Sequence, residues 1–585
     1  MRASWFIGRV GGLAIAFGVG AAVLGGTAVS WADSAPANPD AGSSAGTPAR
    51  SAHPSTSART SQSSVAGIRR ATAAPAAVKA TAPVKRTAAA TVSQAALPDL
   101  SGAVPAGNAL AGTALEVSRR QSPAARAVVA PAAAALAQPV ILGPSGVPIP
   151  SEKYVDEVMN LYVRQGSVPP FADPQPIVVF TPEGLYPITG VESLPLNTSV
   201  DQGMTILSRT LAGIAPGTPT TVFGYSQSAI IGSLLQAGYN PPKSPYPPPT
   251  IPAGLQDFIS FVFVGNEMNP NGGLLSRFVG LQLPSLGLTF YGATPENAYP
   301  TRNYTLEYDG FADFPRYPLN FLADLNAGLG IVFVHTQYDN PNLITAATVT
   351  PISAGGTAIQ LPTTDPSQQY FFMPTKNLPL LAPLRLIPFI GNPIADLIQP
   401  ALKVLVNLGY GDPAHGFETG VQPNANVLVP FGVFPQVDPA EVVGDFVAGL
   451  QQGVSDFVAD FGPGGSIATE VSAMSSMLAA PGAAGQTLVT AIATGISGAL
   501  ASAYSAILPT LDILNAIVTV LPAYNYDLFL QGIGQALSGD VVNGIVNAIG
   551  RPIAADVGII TVAGLVEALV LGEAVAGVFG ITLPT

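Results

Sequence analysis

From about Pro139 onward, short apolar runs alternate with segments whose apolar residues recur at helical spacing. Four runs have the length and the turn-residue ends of buried strands, namely PIVVFTPEG, TPTTVFGYS, FISFVFVGN and RNYTLEYDG. Two segments between them, TSVDQGMTILSRTLAGI and SAIIGSLLQAG, predict helices. Strands that alternate with helices indicate a mainly parallel sheet covered on both faces. Ligand chemistry on such a sheet is expected at the carboxyl ends of its strands.

The pattern changes on both sides of this region. Residues 33–138 are dominated by Ala, Ser, Thr and Pro and predict a disordered spacer. Residues 431–585 are rich in Ala, Gly, Val, Leu and Ile and predict a mainly helical apolar region. Its last segment is apolar enough to suggest a transmembrane span. Because Glu567 and Glu573 would be costly in hydrocarbon, we prefer a buried or surface-associated helical bundle. The α/β domain is therefore placed at residues 139–430.

The N-terminus has the three parts of an export signal. Arg2 and Arg9 precede the apolar stretch VGGLAIAFGVGAAVLGG, and Ser30 and Ala32 have the small-residue spacing of a cleavage site. This order predicts a secretory signal peptide over residues 1–32. The alternative is an uncleaved anchor, since the apolar run is just long enough to span a bilayer. Both interpretations place the rest of the chain outside the cytoplasm, either secreted or associated with the cell envelope.

Composition narrows the classes of function. The chain has 585 residues, of which only 10% are charged, and a formal net charge of -12. The charged residues after the N-terminal region are mainly acidic and offer no basic stripe or groove, so nucleic-acid binding is not expected. The absence of cysteine excludes disulfides and thiolate metal sites. No cofactor or metal is predicted.

The stretch TVFGYSQSAIIG joins a predicted strand to a predicted helix. Its centre nearly matches the G-x-S-x-G pattern of a nucleophile elbow, in which a sharp turn presents a serine hydroxyl. Gly224 supplies the first small residue, Ser226 is the candidate nucleophile, and Ser228 stands where the pattern has its second glycine. The alternative is a serine that only caps a helix. The strand-turn-helix context favours the nucleophile.

A serine nucleophile needs a base and a group that orients the base. Of the three histidines, His53 lies in the predicted spacer, His335 ends the strand-like run GIVFVHTQY, and His415 lies in the turn-rich GYGDPAHGFETG. An acid is expected at a strand end between the serine and the histidine. Asp309 directly follows the run RNYTLEY, and Asp313 comes four residues later. Asp309 is the better placed of the two.

These residues predict a catalytic triad. His335 would take the proton of Ser226 and later protonate the leaving group, while Asp309 would orient the imidazole and stabilise its charged form. The product of the first step would be an acyl-enzyme on Ser226.

Two backbone donors are expected to stabilise the oxyanion. The N–H of Gln227, at the start of a helix, is the first. The second should come from the loop after IVVF, from Thr181 or Glu183, because Pro182 between them has no N–H.

Several motifs of this sequence resemble those of a known family. GYSQ is similar to the elbow of cutinases, whose glutamine N–H is an oxyanion donor. YDGFADFPRYPLNFLADLNAG, VHTQY and LPLLAPLRLIPFIGNPIADLIQPALKVLVNLGYGDP resemble the PE-PPE domain family, α/β-hydrolase domains of secreted mycobacterial proteins that are related to cutinases. The similarity runs from roughly Pro170 to Pro413. It implies a cutinase-like α/β-hydrolase fold.

The resemblance also implies a serine esterase or acyltransferase that acts on lipid-type acyl esters. Carried over by position, Ser226 matches the nucleophile, Asp309 the acid and His335 the base, and His415 falls outside the similar region. Two features depart from the family and from cutinases. No PE or PPE module is recognisable before the domain, so export by an ordinary signal is expected, and the disulfides of cutinases are absent.

The segment LPLLAPLRLIPFIGNP has two interpretations, a lid or acyl-chain wall over the site and ordinary packing of a cap.

The sequence also leaves alternatives for the function. The first is an exported serine hydrolase of lipid or acyl-ester substrates, and the second is an acyltransferase in envelope lipid assembly. The third is a non-catalytic surface protein on a hydrolase scaffold. Residues 431–585 are the expected site of association with the envelope or a membrane surface.

Overall fold

The molecule is known from a computed structural model. It describes residues 138–164, 175–296, 298–417, 424–478 and 508–578. The predicted signal peptide over residues 1–32, the predicted spacer up to residue 137 and His53 lie outside the described residues.

A seven-stranded sheet forms the centre of the fold, in the order β2-β1-β3-β4-β7-β9-β8. Neighbouring strands are parallel except for β8, which pairs antiparallel with β9, and β5 and β6 form a separate hairpin. The strands are β1 Gln138–Ile141, β2 Ile177–Val178, β3 Thr220–Tyr225, β4 Ile259–Val264, β5 Gln282–Leu283, β6 Leu288–Thr289, β7 Thr301–Leu306, β8 Ile359–Leu361 and β9 Gln368–Met373.

Helices follow most of the strands and continue beyond the sheet. The α-helices are α1 Glu152–Val158, α2 Leu196–Ala212, α3 Gln227–Gln236, α4 Leu274–Arg277, α5 Phe321–Phe333, α6 Ala346–Val349, α7 Ala382–Arg385, α8 Gly391–Asn407, α9 Pro439–Asp460, α10 Ser466–Leu478, α11 Leu521–Leu537 and α12 Val541–Val578. The predicted α/β fold and the mainly helical C-terminal region are confirmed for the part of the chain that the structure describes.

One predicted element is wrong. The run GIVFV before His335 was expected to be strand-like, but it is the last part of helix α5. The side chain of Asn320 caps this helix by accepting a hydrogen bond from the N–H of Ala323 at 3.2 Å. A short apolar run does not by itself distinguish a buried strand from a buried helix. Strand β1 begins at Gln138, one residue before the predicted domain boundary.

Both faces of the sheet are buried. Along β3, Val222 packs into the apolar core on one face, while Phe223 and Tyr225 pack into the core on the other. Strand β4 alternates in the same way, with Phe263 on the first face and Val264 on the second. Such near-continuous apolar runs are typical of a parallel sheet covered by helices on both sides. The sheet is therefore a rigid base for residues that follow its strands.

The C-terminal helices pack as two antiparallel pairs, α8 with α9 and α11 with α12. Small residues form the contacts: a Cβ placed on Gly453 would lie 1.9 Å from the carbonyl oxygen of Leu397. A Cβ on Gly532 would lie 2.2 Å from the N atom of Ala548. Helix α12 also packs against α5 of the sheet domain, where a Cβ on Gly328 would lie 1.9 Å from Cδ1 of Leu565. Close backbone approach, which only glycine allows, holds both pairs together.

These helices leave large apolar side chains exposed. The set includes Val443, Val447, Leu450, Val454 and Val458 on α9, and Phe461 directly after it. Two helices are long and apolar enough to cross a membrane, Leu508–Leu537 with a mean hydropathy of 1.3 and Val541–Gly572 with a mean hydropathy of 2.0. Length and composition alone make them candidates.

The segment LPLLAPLRLIPFIGNP has features of both predicted interpretations. Leu378 is fully buried beside α5 and α8, whereas Ile387 and Ile390 are exposed. The N–H of Phe389 donates to the carboxylate of Glu470 on α10 at 2.6 Å. The first part of the segment is therefore packed as a cap, and the second presents apolar side chains to the surface.

Candidate active site

Ser226 occupies the turn between β3 and α3. Its backbone has φ 58° and ψ -126°, a conformation that is costly for a residue with a side chain. The N–H of Ser226 donates to the carbonyl of Val264 at 3.0 Å, which ties the turn to the neighbouring strand β4. The strand-turn-helix context predicted for the elbow is thus present.

The residues two positions before and after Ser226 have distinct structural roles. A Cβ on Gly224 would lie 2.6 Å from the carbonyl oxygen of Ser228, so only glycine fits there. The hydroxyl of Ser228 accepts a hydrogen bond from the N–H of Tyr225 at 2.8 Å and donates to its carbonyl at 3.0 Å. Ser228 is therefore a side-chain clamp across the elbow as well as a small residue at a close approach.

The structure brings Ser226, His335 and Asp309 into one hydrogen-bonded line. Nε2 of His335 lies 2.8 Å from Oγ of Ser226. Nδ1 of His335 lies 2.9 Å from both carboxylate oxygens of Asp309. Asp309 follows β7 and is fully buried, and His335 lies in a short 3₁₀ turn after α5. An imidazole held in this way can accept the proton of a serine hydroxyl.

Asp309 is fixed by three further donors. Its Oδ1 accepts from the N–H groups of Phe311 at 2.9 Å and Ala312 at 3.3 Å, and its Oδ2 accepts from the hydroxyl of Tyr338 at 2.7 Å. Tyr338, which is fully buried, was not identified from the sequence. The only local hint that Tyr338 belongs to the site is its spacing, since it comes three residues, or about one helical turn, after His335 in VHTQY. These bonds leave the carboxylate one orientation, toward the imidazole.

The imidazole of His335 is packed on both sides. The ring of Phe311 meets it edge-on with the centroids 4.8 Å apart. Gly265 has φ 57°, and a Cβ there would lie 2.9 Å from Cε1 of His335. Burial by itself lowers the pKa of His335, but the charge and hydrogen bond of Asp309, with the charge of Glu267, raise it above 6.5.

The other candidates lie elsewhere. His415 stacks on the ring of Phe417 at 4.0 Å and its Nε2 lies 3.4 Å from the carboxylate of Asp412. Asp313 accepts a hydrogen bond from the N–H of Tyr308 at 2.9 Å, so it supports the backbone after β7. Neither side chain belongs to the line formed by His335.

The predicted oxyanion donors lie beside the elbow. Gln227 opens α3, and its side chain donates to the carbonyl of Gly184 at 2.9 Å, which holds the loop after β2 next to the helix N-terminus. In that loop the hydroxyl of Thr181 donates to Oε1 of Glu183 at 2.5 Å, and both residues are buried. Burial raises the pKa of Glu183 to about 8. Which of the two N–H groups faces an oxyanion stays a prediction.

The PE-PPE domain model matches residues 172–411. PPE28 of Mycobacterium tuberculosis (strain H37Rv), an uncharacterized PPE family protein, is 44% identical over 465 residues, which are 76% of this chain and 67% of PPE28. The chain belongs to the PE-PPE domain family. The matched PE-PPE domain contains Ser226, Asp309 and His335, and His415 lies beyond it.

Two relatives from the same strain carry the name of an activity. Esterase PE16 is 38% identical over 310 residues, which are 52% of this chain and 52% of PE16. SL1278 acyltransferase Chp1 is 29% identical over 238 residues, which are 40% of this chain and 53% of Chp1. The chain thus spans about half the length of these two proteins. No solved structure matches the chain.

A second carboxyl group reaches the candidate nucleophile of the PE-PPE domain. Oε1 of Glu267 lies 2.9 Å from Oγ of Ser226, and the residue is 5% exposed. Burial raises the pKa of Glu267 to about 7. Glu267 was missed in the sequence, although it follows β4 by three residues and so lies at the sheet edge where functional groups are expected.

Within the described residues, no group of three His, Cys, Asp or Glu side chains is arranged to hold a metal ion.

Proposed function

We propose that this protein is an exported serine hydrolase of the carboxylesterase or lipase type, acting on lipid-type acyl esters. The observation that carries the proposal is the pair of distances at His335, 2.8 Å to Oγ of Ser226 and 2.9 Å to the carboxylate of Asp309. The name of its relative PE16, an esterase, supports the same reaction class.

In the proposed reaction, His335 removes the hydroxyl proton as Oγ of Ser226 attacks the ester carbonyl. The N–H of Gln227 and a donor from the loop of Thr181 stabilise the oxyanion. The imidazolium, stabilised by Asp309, then protonates the leaving alcohol. In the second half of the reaction, His335 removes a proton from water as the water attacks the acyl-enzyme, and the proton then returns to Oγ of Ser226 as the acid is released.

Acyl transfer is a second candidate, because it shares the first half of this reaction. The relative Chp1 is named an acyltransferase. Ser226 is only 2% exposed, so little water reaches the acyl-enzyme unless the site opens. An alcohol bound near Ser226 would then compete with water as the acceptor.

The proposed location is the cell envelope or its surface. Helix α9 offers a stripe of exposed apolar side chains, and α8 also exposes Ile394 and Ile398. Such a surface fits a lipid assembly better than water. The signal-peptide pattern of residues 1–32 supports export.

The test is hydrolysis of soluble p-nitrophenyl esters by wild type, Ser226→Ala and the control Ser208→Ala, which removes a partly buried hydroxyl of α2 that hydrogen-bonds to the backbone of Thr250. Labelling with a fluorophosphonate reports the nucleophile independently of the substrate. We expect Ser226→Ala to lose both hydrolysis and labelling, while Ser208→Ala keeps both. Equal rates for wild type and Ser226→Ala would refute the nucleophile.

Adding an alcohol acceptor to the same assay separates the two candidates. Hydrolysis predicts free acid with or without the alcohol. Acyl transfer predicts an acylated alcohol that is absent in Ser226→Ala.

A further inference from the structure

The hydroxyl of Ser226 lies between two hydrogen-bonding partners. Oγ is 2.8 Å from Nε2 of His335 and 2.9 Å from Oε1 of Glu267. A serine hydroxyl carries one hydrogen and can donate only once. Two hydrogen bonds at Oγ therefore need a second hydrogen. It must come from a protonated Glu267 or from a protonated Nε2 of His335.

Only one of these arrangements prepares the nucleophile. If Nε2 of His335 carries the hydrogen, the imidazole cannot act as a base. If Glu267 carries it, the carboxyl donates to Oγ, and the hydrogen of Ser226 points to a neutral Nε2. The productive state is thus the one with a neutral Glu267.

The surroundings of Glu267 favour the neutral form. The side chain is buried and its second oxygen, Oε2, has no hydrogen-bond partner. An ionised carboxylate with an unpaired buried oxygen is far more costly than a neutral acid. Burial, together with the nearby charge of Asp309, raises the pKa of Glu267, against the lowering effects of His335 and of hydrogen bonds from Ser226 and the backbone. Glu183 is a further acidic neighbour, because the charge of Glu267 contributes to raising its pKa.

The backbone around Glu267 is held firmly. Its carbonyl accepts from the N–H of Leu275 at 3.1 Å. The preceding side chain, Asn266, donates to Asn303 at 3.0 Å and to Thr294 at 2.9 Å. A carboxyl group on such a loop keeps its position relative to Ser226.

We propose that Glu267 is a positioning residue whose carboxyl O–H donates to Oγ of Ser226 and so directs the serine hydrogen to His335. The inference rests on the proposed function. During attack, the bond from Oγ to the acyl carbon forms, the carbonyl π electrons move to oxygen, and the serine proton moves to Nε2. The carbonyl then re-forms as the bond from the acyl carbon to the leaving oxygen breaks, the leaving oxygen takes the proton from Nε2, and Glu267 keeps its own proton throughout.

Loss of the proton from Glu267 reverses this effect. The carboxylate accepts the hydrogen of Ser226 and turns it away from Nε2. Its negative charge also lies close to the acyl group that Ser226 attacks, where the carbonyl oxygen becomes an oxyanion. Repulsion between the two negative charges opposes catalysis. Activity should therefore need a deprotonated His335 and a protonated Glu267 at the same time, which gives a bell-shaped pH profile whose two limbs belong to the coupled pair.

The experiment compares the pH dependence of kcat/KM for wild type, Glu267→Gln and the control Glu296→Gln on a soluble p-nitrophenyl ester. The amide of Glu267→Gln can donate to Oγ at every pH. We expect the alkaline limb of wild type to disappear in Glu267→Gln, which should exceed wild type about tenfold at the alkaline end, the effect of one hydrogen bond of typical strength. Glu296→Gln, an exposed change, should keep the bell. An unchanged alkaline limb in Glu267→Gln would overturn the proposal while leaving the role of Ser226 intact.

A second measurement does not depend on activity. Infrared difference spectra of wild type against Glu267→Gln should contain the C=O band of a protonated carboxyl that is lost as the pH rises through about 7. Absence of that band at every pH would overturn the proposal even in a protein that hydrolyses no ester. Failure of the proposed function would instead appear as hydrolysis and labelling that survive Ser226→Ala.

Discussion

The sheet edge and the C-terminal helices distribute polarity in opposite ways. At the carboxyl ends of β3, β4 and β7, the polar side chains of Ser226, Glu267 and Asp309 are buried. Along α9, the exposed face carries valines, while glycines face α8. Burying polar groups and exposing large apolar ones both cost free energy. This contrast is what we expect if the first region carries the proposed reaction and the second contacts an apolar partner.

The largest expected effect tests the chemistry of the sheet edge. His335→Ala removes the group that lies between Ser226 and Asp309, and we expect kcat/KM for a soluble ester to fall by about 10³-fold or more. His415→Ala serves as the matched control, since its imidazole stacks on Phe417 outside the site. Retained activity in His335→Ala together with loss in His415→Ala would mean that the base is misassigned.

The next effect tests the helical region. Val447 and Val454 are 47% and 56% exposed and lie two turns apart on the apolar stripe of α9. Val447→Asp with Val454→Asp should reduce co-sedimentation with phosphatidylcholine vesicles at least about tenfold, since two apolar side chains no longer enter the lipid. Hydrolysis of a soluble ester should not change.

The control for this pair adds the same charges beside the stripe. Ala448 and Ser455 are exposed on the flank of α9, also seven residues apart. Ala448→Asp with Ser455→Asp should bind vesicles as wild type does. If both pairs reduced vesicle binding equally, the effect would be due to the added charge, and the apolar stripe would not be the lipid-binding surface.

Much of the candidate site follows from local sequence. The elbow is one strand, one turn and one helix in succession, so its residues are neighbours in the chain. Asp309 follows a strand in the same way. Their meeting with His335 could be expected from chain order, although the run before His335 proved to be helix α5. The catalytic roles themselves stay predictions.

Other features depend on contacts that local patterns do not contain. Glu267 reaches Ser226 only because β3 and β4 are neighbours in the sheet, and Tyr338 reaches Asp309 only because a 3₁₀ turn follows α5. In α9 the residues that pack are Gly449 and Gly453. If the apolar side chains of α9 were assumed to form its buried face, the helix would therefore be placed with the wrong face toward α8.

A smaller effect tests how the buried acid is held. Tyr338→Phe removes one donor to Asp309, so we expect kcat/KM to fall about tenfold. With less of its charge neutralised, Asp309 should attract the imidazolium more strongly, which raises the pKa of His335 and moves the acid limb of the pH profile upward. Tyr526→Phe, on the exposed face of α11, should match wild type. An unmoved acid limb would assign Tyr338 a purely structural role.

A change in stability rather than in activity tests whether the buried polar groups cost free energy. Burial raises the pKa of Glu183 from 4.5 to about 8, so the folded state holds this proton more tightly than the unfolded chain does. The stabilisation is complete below about pH 4.5 and is lost as the pH rises to about 8, by up to about 1.4 kcal/mol for each pH unit. Glu183→Gln removes the titration, so its melting temperature should fall less steeply than that of wild type over this range. Glu296→Gln should parallel wild type, because that carboxyl is exposed. Parallel slopes for wild type and Glu183→Gln would mean that Glu183 is already ionised in the folded protein, and that the sheet edge tolerates a buried charge beside Glu267.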